Sequence, residues 1–304
     1  MSSLPARLAA LAIRLTGRRR GLARDDLDPE AAIANRSRPA RPTRALRRRL
    51  AVTWALHDGF EVYTLSPRRA TRAGRVIYFH GGAYTSPITR IHWRFLARMV
   101  EATGLSVTVP LYPLTPEHAC ADTCAFALSL YRAGLETGAG PPVALMGDSA
   151  GGGLALSLAM QVRDAGLALP GGLVLISPWL DVATADPAQA RIEPSDVMLM
   201  RPGVRTLGRW YAGDWALTDE RVSPLFGALQ GLPPIELFCG THDILVADAR
   251  RLTARARAEA IALAYHEEPG LMHVYPLLGL PESRRAEARI AWFLGRSDAA
   301  GPSA

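Results

Sequence analysis

From about residue 50 onward, short apolar runs rich in β-branched residues alternate with segments of helix length, and this rhythm leaves few architectures open. The strand-like runs fall at about 50–56, 60–65, 75–79, 106–110, 143–146, 172–176, 235–239 and 263–267. Helical patterns occupy about 92–102, 119–134, 150–165, 246–260 and 282–293. Alternation of this kind predicts a largely parallel sheet covered by helices on both faces. With 304 residues the chain is long for one domain, but an α/β domain carrying an insertion reaches that size.

The insertion is visible where the rhythm fails. Between the runs at 172–176 and 235–239 lie 58 residues, far more than one crossover helix needs. Pro178, Pro187, Pro194 and Pro202, with Trp179, Trp210 and Trp215, predict an irregular lid with aromatic walls.

Chemistry concentrates where one apolar run meets the next helix. Gly147-Asp148-Ser149-Ala150-Gly151 fits the G-x-S-x-G turn that exposes a nucleophilic serine between a strand and a helix. A serine in so tight a turn adopts a strained backbone state, and glycines two positions away avoid collision across it. Gly152 and Gly153 would let the helix approach the sheet closely. Taken alone, a glycine-rich strand–helix junction could instead cradle a phosphate. A chymotrypsin-like reading of G-D-S is excluded because a helix follows Ser149 and the cysteines are too few.

A serine hydroxyl attacks only when an imidazole takes its proton and a carboxylate orients that imidazole. Asp243, just past a strand, lies 94 residues after Ser149, and His273, after the last strand, 30 residues further. Both project from the carboxyl edge of the sheet, as Ser149 does. Asp248 falls inside a helix, and Glu267 and Glu268 lie near a strand end; His266 sits within a strand and His242 beside the acid. These suit the roles less well. His80-Gly81-Gly82 closes a strand 69 residues before Ser149 and offers the amides of Gly81 and Gly82, with that of Ala150, to an oxyanion. No H-E-x-x-H pattern or dense His/Cys/Asp cluster suggests a metal, and the chemistry needs no cofactor.

Charge is unevenly placed. Residues 1–50 hold 13 Arg against 4 acidic residues, and the other 254 carry a net −2. All 35 basic residues are Arg, which weakens any functional reading of their number. No aromatics interleave with the clusters 18–20 and 47–49, so nucleic acid is set aside and solvated faces are the favoured reading. Contact with a membrane surface through this Arg-rich stretch stays open, as does a homodimer. Leu4, Leu8, Leu11 and Leu15 mark an amphipathic helix rather than a signal peptide, since Arg7 and Arg14 leave only six apolar residues between them. Cys120, Cys124 and Cys239 are too few for a disulfide framework, and a cytoplasmic setting follows as the expectation. No run of about 18 apolar residues occurs.

The motifs taken in order resemble the hormone-sensitive-lipase-like branch of the α/β-hydrolases, the bacterial carboxylesterases with G-D-S-A-G. The resemblance covers about 76–294 and rests on His80-Gly81-Gly82, Tyr112-x-Leu114-x-Pro116-Glu117, the Ser149 pentapeptide, Ser223-Pro224-Leu225, Leu232-Pro233-Pro234, Asp243 and His273. It implies a mostly parallel eight-stranded sheet flanked by helices (core 51–180 and 221–298), a small cap from helices in 1–50 and the insertion 181–220, and a tail at 299–304. It further implies a Ser149–His273–Asp243 triad hydrolysing short- to medium-chain esters. Ala83 stands where such proteins usually carry a third glycine, and Pro113 where an arginine often follows the tyrosine. Tyr84, Trp179, Trp210 and Trp215 are candidate walls for the substrate, or else pack cap against core; Asp196 is a candidate anchor of the cap. A binding protein on the same fold, an amide or lactone hydrolase and an acyltransferase are the alternatives.

Overall fold

The computed structural model describes residues 2–69, 72–138, 140 and 142–297; the expected tail at 299–304 lies outside them. In chain order the elements are α1 (Leu4–Leu15), α2 (Pro29–Ala34), α3 (Arg44–Arg49), β1 (Leu50–His57), β2 (Phe60–Pro67), β3 (Arg75–Phe79), α4 (Arg90–Thr103), β4 (Ser106–Pro110) and α5 (Cys120–Glu136). Then follow β5 (Ala144–Asp148), α6 (Ala150–Asp164), β6 (Leu173–Ile176), α7 (Pro187–Ile192), α8 (Arg201–Ala212), β7 (Ile235–His242), α9 (Val246–Ala258), β8 (Leu263–Met272) and α10 (Pro281–Ser297). All eight strand-like runs of the sequence are strands.

They form one sheet in the order β1-β2-β4-β3-β5-β6-β7-β8. β1 and β2 make an antiparallel hairpin whose turn, Asp58-Gly59, has positive φ at both residues (47° and 83°) and so matches the twist of the strands it joins. β2 also runs antiparallel to β4, and every later pairing is parallel. The chain leaves β3 toward β4 on one side and returns to β5 on the other, with Phe79 in register with Gly147. A crevice opens at the carboxyl ends of such a pair, because the two following loops diverge. The H-G-G loop and Ser149 border it.

Each face of the sheet carries its own apolar cluster. α5, α6 and α9 cover one, and α4 with α10 the other. β5 and β6 are buried along their whole length, as strands covered on both faces must be.

The insertion is more regular than the sequence reading expected. Its prolines start helices instead of preventing them: Pro187 opens α7 and Pro202 lies in the first turn of α8, where a missing N–H costs nothing. Leu22, at the end of the 3₁₀ turn Arg18–Leu22, packs so closely on α8 that a Cβ at Gly203 would collide with its backbone. Arg19 donates to the carbonyls of Glu193 and Leu199, and Thr206 Oγ1 to that of Asp25. The N-terminal stretch and the insertion therefore meet over the rim of the sheet. α1 sits apart from this contact, held to α10 by Ser3, whose N–H and Oγ donate to Glu282 (2.7 and 2.9 Å).

Candidate active site

Ser149 occupies the turn between β5 and α6 with φ 53° and ψ −122°, a state that costs any residue with a Cβ of order 1–3 kcal/mol. The surroundings hold it there. Its N–H donates to Ile176 O (2.9 Å) and its carbonyl accepts from the N–H groups of Trp179 (2.9 Å), Gly152 (3.0 Å) and Gly153 (3.1 Å). A Cβ on Gly147 would strike the Gly151 carbonyl across the turn, and one on Gly151 would strike the end of β3. Gly152 and Gly153 face Pro178 and the Trp179 carbonyl, so the helix start lies against the loop after β6.

His273 follows β8 and brings Nε2 to 3.0 Å from Ser149 Oγ, while Nδ1 lies 2.8 Å from Asp243 Oδ2. A carboxylate only accepts, so Nδ1 carries the proton and Nε2 is free to accept from the serine. Asp243, fully buried, is fixed by the Leu245 N–H on Oδ1 and the Cys239 thiol on Oδ2. The loop of His273 is in turn held by Ser177 Oγ, which accepts from Val274 N–H (3.0 Å). Burial pushes the His273 imidazole down, but the charge and hydrogen bond of Asp243, with Asp196 and Asp148 behind it, outweigh this and leave it above its ordinary value.

Asp196 lies against the same acid. Its Oδ2 accepts the N–H of Ile244, next to Asp243, and its Oδ1 those of Met198 and Leu199. Burial, then the neighbouring charge of Asp243, push its carboxyl up to about 6. The inserted segment is thus tied to the loop of Asp243, the anchoring expected of Asp196.

Of the three amides expected to face an oxyanion, one is engaged elsewhere. The Gly81 N–H donates to Asp148 Oδ1 (2.9 Å), so in this structure its hydrogen serves that carboxylate. The next amides, of Gly82 and Ala83, donate to no group among the described residues. Asp148 is the residue the sequence reading passed over. Buried beneath the loop, it also accepts from the Tyr78 hydroxyl and lies 3.3 Å from His92 Nε2. Burial pushes its carboxyl up, yet these partners bring it below the usual value, so it stays ionised. Its place between glycine and serine in G-D-S was the only available signal. His80 stacks on Tyr112 (4.5 Å between rings), whose hydroxyl donates to the His80 carbonyl; burial, then the charge of His92, bring the His80 ring down to about 4, so it is neutral.

The aromatic candidates separate. Tyr84 and Trp179 are buried in the core, Tyr84 stacked 3.5 Å from Tyr211 of α8, which joins insertion to core. Trp210 is half-buried, and Trp215 lies under the Arg221 guanidinium at 3.7 Å. A cavity of ≈ 290 Å³ instead adjoins His80 and Tyr112, bordered by Phe60, Leu114, His118 and Arg36. Arg36, from the N-terminal stretch, donates to the Thr115 carbonyl and to Glu117 in the stretch where Pro113 stands. Among the described residues no group of three or more His, Cys, Asp or Glu side chains is placed to hold a metal ion.

Comparison with known proteins places this geometry. A sequence model of the alpha/beta hydrolase fold matches residues 76–277. A triacylglycerol lipase of Mycobacterium tuberculosis is 33% identical over 75% of this chain, a match spanning 47% of that lipase. An acetyl-hydrolase of Streptomyces hygroscopicus is 35% identical over 72% of this chain and 75% of its own length. The crystal structure of an esterase from the bacterial hormone-sensitive lipase family superposes with TM-score 0.83 at 26% identity, covering 98% of this chain and 99% of that one. The chain belongs to the α/β-hydrolase family and, within it, to the hormone-sensitive-lipase-like carboxylesterases.

Proposed function

We propose that this chain hydrolyses short- to medium-chain carboxylic esters through an acyl-enzyme, with Ser149 as nucleophile, His273 as base and then acid, and Asp243 orienting the ring. One observation carries the reading: a serine in a strained turn, 3.0 Å from an imidazole whose far nitrogen is 2.8 Å from a buried carboxylate. Ester attack places negative charge on the carbonyl oxygen, and the amides of Gly82 and Ala150 are the donors assigned to it. Gly81 is assigned a positioning role through Asp148. Residues 1–50 and 181–220 together act as the cap. The relatives named acetyl-hydrolase and triacylglycerol lipase support an ester substrate.

Steady-state hydrolysis of p-nitrophenyl acetate and butyrate tests the assignment. Ser149→Ala lowers kcat by about 10⁴-fold or more, and Asp243→Asn by about 10³–10⁴-fold, since the amide favours the wrong tautomer of His273. Turnover by Ser149→Ala at the parent rate would remove Ser149 from the mechanism.

A further inference from the structure

α1 is mounted with its small side chains inward. Ala6 is fully buried, and Ala9, Ala10 and Ile13 pack against the apolar cluster on the α4 and α10 face of the sheet. Leu4, Leu8, Leu11 and Leu15 form one stripe on the opposite side and are 65%, 57%, 54% and 78% exposed. The larger apolar gain lies in burying leucine, so a helix free to choose would turn this stripe inward. Ser3 on Glu282 fixes the opposite rotation. Reading the N-terminal arginines as solvated faces leaves these leucines unexplained.

Arg7 and Arg14 project along one flank of the stripe, both exposed, and α1 contains no acidic residue. A second copy laid on the stripe across a two-fold axis would bring arginine toward arginine. A layer of anionic headgroups over acyl chains complements both features at once, with the leucines entering the acyl boundary and the guanidiniums meeting phosphate. We propose that the outward face of α1 docks this molecule on an anionic lipid surface. The helix would lie flat on that surface. The docking itself does not depend on the catalytic reading.

Vesicle co-sedimentation of the full chain carrying Ser149→Ala, which keeps hydrolysis out of the readout, tests it. Phosphatidylglycerol/phosphatidylcholine vesicles should bind it about tenfold or more better than phosphatidylcholine alone, less so as salt rises. Leu8→Gln with Leu11→Gln should weaken binding about tenfold or more at an unchanged melting temperature, since both side chains are exposed in the free protein. Arg7→Gln and Arg14→Gln, which leave the apolar stripe intact, should each weaken it about fivefold. Equal binding to both vesicle types, or full binding by the leucine variant, overturns the proposal. So does a dimer in sedimentation equilibrium that the leucine variant splits, which would assign the stripe to a second copy.

Discussion

Ala83 shows how much a single methyl can reveal. It lies in the turn after Gly82 with φ 52°, a left-handed state in which a Cβ costs about 1–2 kcal/mol. The resemblance marked only a missing third glycine at this position; the backbone shows that the alanine in its place carries strain. Ala83→Gly should raise stability by about 0.5–1 kcal/mol, the relief less the added chain entropy, which chemical denaturation would register. Unchanged or lowered stability would mean the turn relaxes around Ala83. His273 supports a second expectation at this scale. Its folded value lies above the ordinary 6.5, and only the neutral ring can accept the serine proton. As pH falls through that folded value the base is lost, so kcat/KM for p-nitrophenyl butyrate should reach half its plateau above pH 6.5. Asp196→Asn removes a negative charge that favours the protonated ring and should move the midpoint down. A parent midpoint below pH 6 would contradict the electrostatic account.

Among the elements, the insertion carries the clearest test. Asp248 of α9 is fully buried, accepts from Gln189 of α7 and pairs with Arg251, while Asp181 and Asp186 lie nearby. Burial, then the charge of Asp181, push its carboxyl up to about 7. The folded chain therefore holds a proton that the unfolded chain releases near pH 4, and the stability this gives is lost as pH rises toward 7. Asp248→Asn cannot ionise and keeps an acceptor for Arg251. Its new amide can donate to the Gln189 Oε1, which lacks a partner, once that side chain flips. The variant's melting temperature relative to the parent should thus climb by at least about 2 °C between pH 5 and pH 8. A difference independent of pH would show that Asp248 does not titrate in that window.

The same scale shows what the sequence made legible. Strands buried on both faces, as β5 and β6 are, leave an unmistakable run of apolar residues, and the more exposed β1, β2 and β8 were readable as well. α7 and α8 were not, because a proline that starts a helix looks locally like one that breaks it. α1 was readable as amphipathic, yet periodicity says which residues share a stripe and not which stripe faces the core; Ser3 and Glu282, 279 residues apart, decide that. The engagement of Gly81 with Asp148 likewise depends on Tyr78 and His92 being brought beneath the loop by β3 and α4. Nothing in the local sequence announces such contacts.

For the molecule as a whole, parallel strands put their carboxyl ends on one edge, so loops far apart in sequence meet there without special arrangement. The order of β4, β3 and β5 opens the crevice between the H-G-G loop and Ser149, and β7 and β8 bring Asp243 and His273 to the same rim. Among the described residues no helix is long and apolar enough to cross a membrane. The account stands or falls on that rim activating one serine. Fluorophosphonate labelling followed by peptide mass mapping reads this most directly. It should place a single adduct on Ser149, absent from Ser149→Ala and formed at least about a hundredfold more slowly in His273→Ala. An adduct on another serine, or labelling of Ser149 at an undiminished rate without His273, would contradict it.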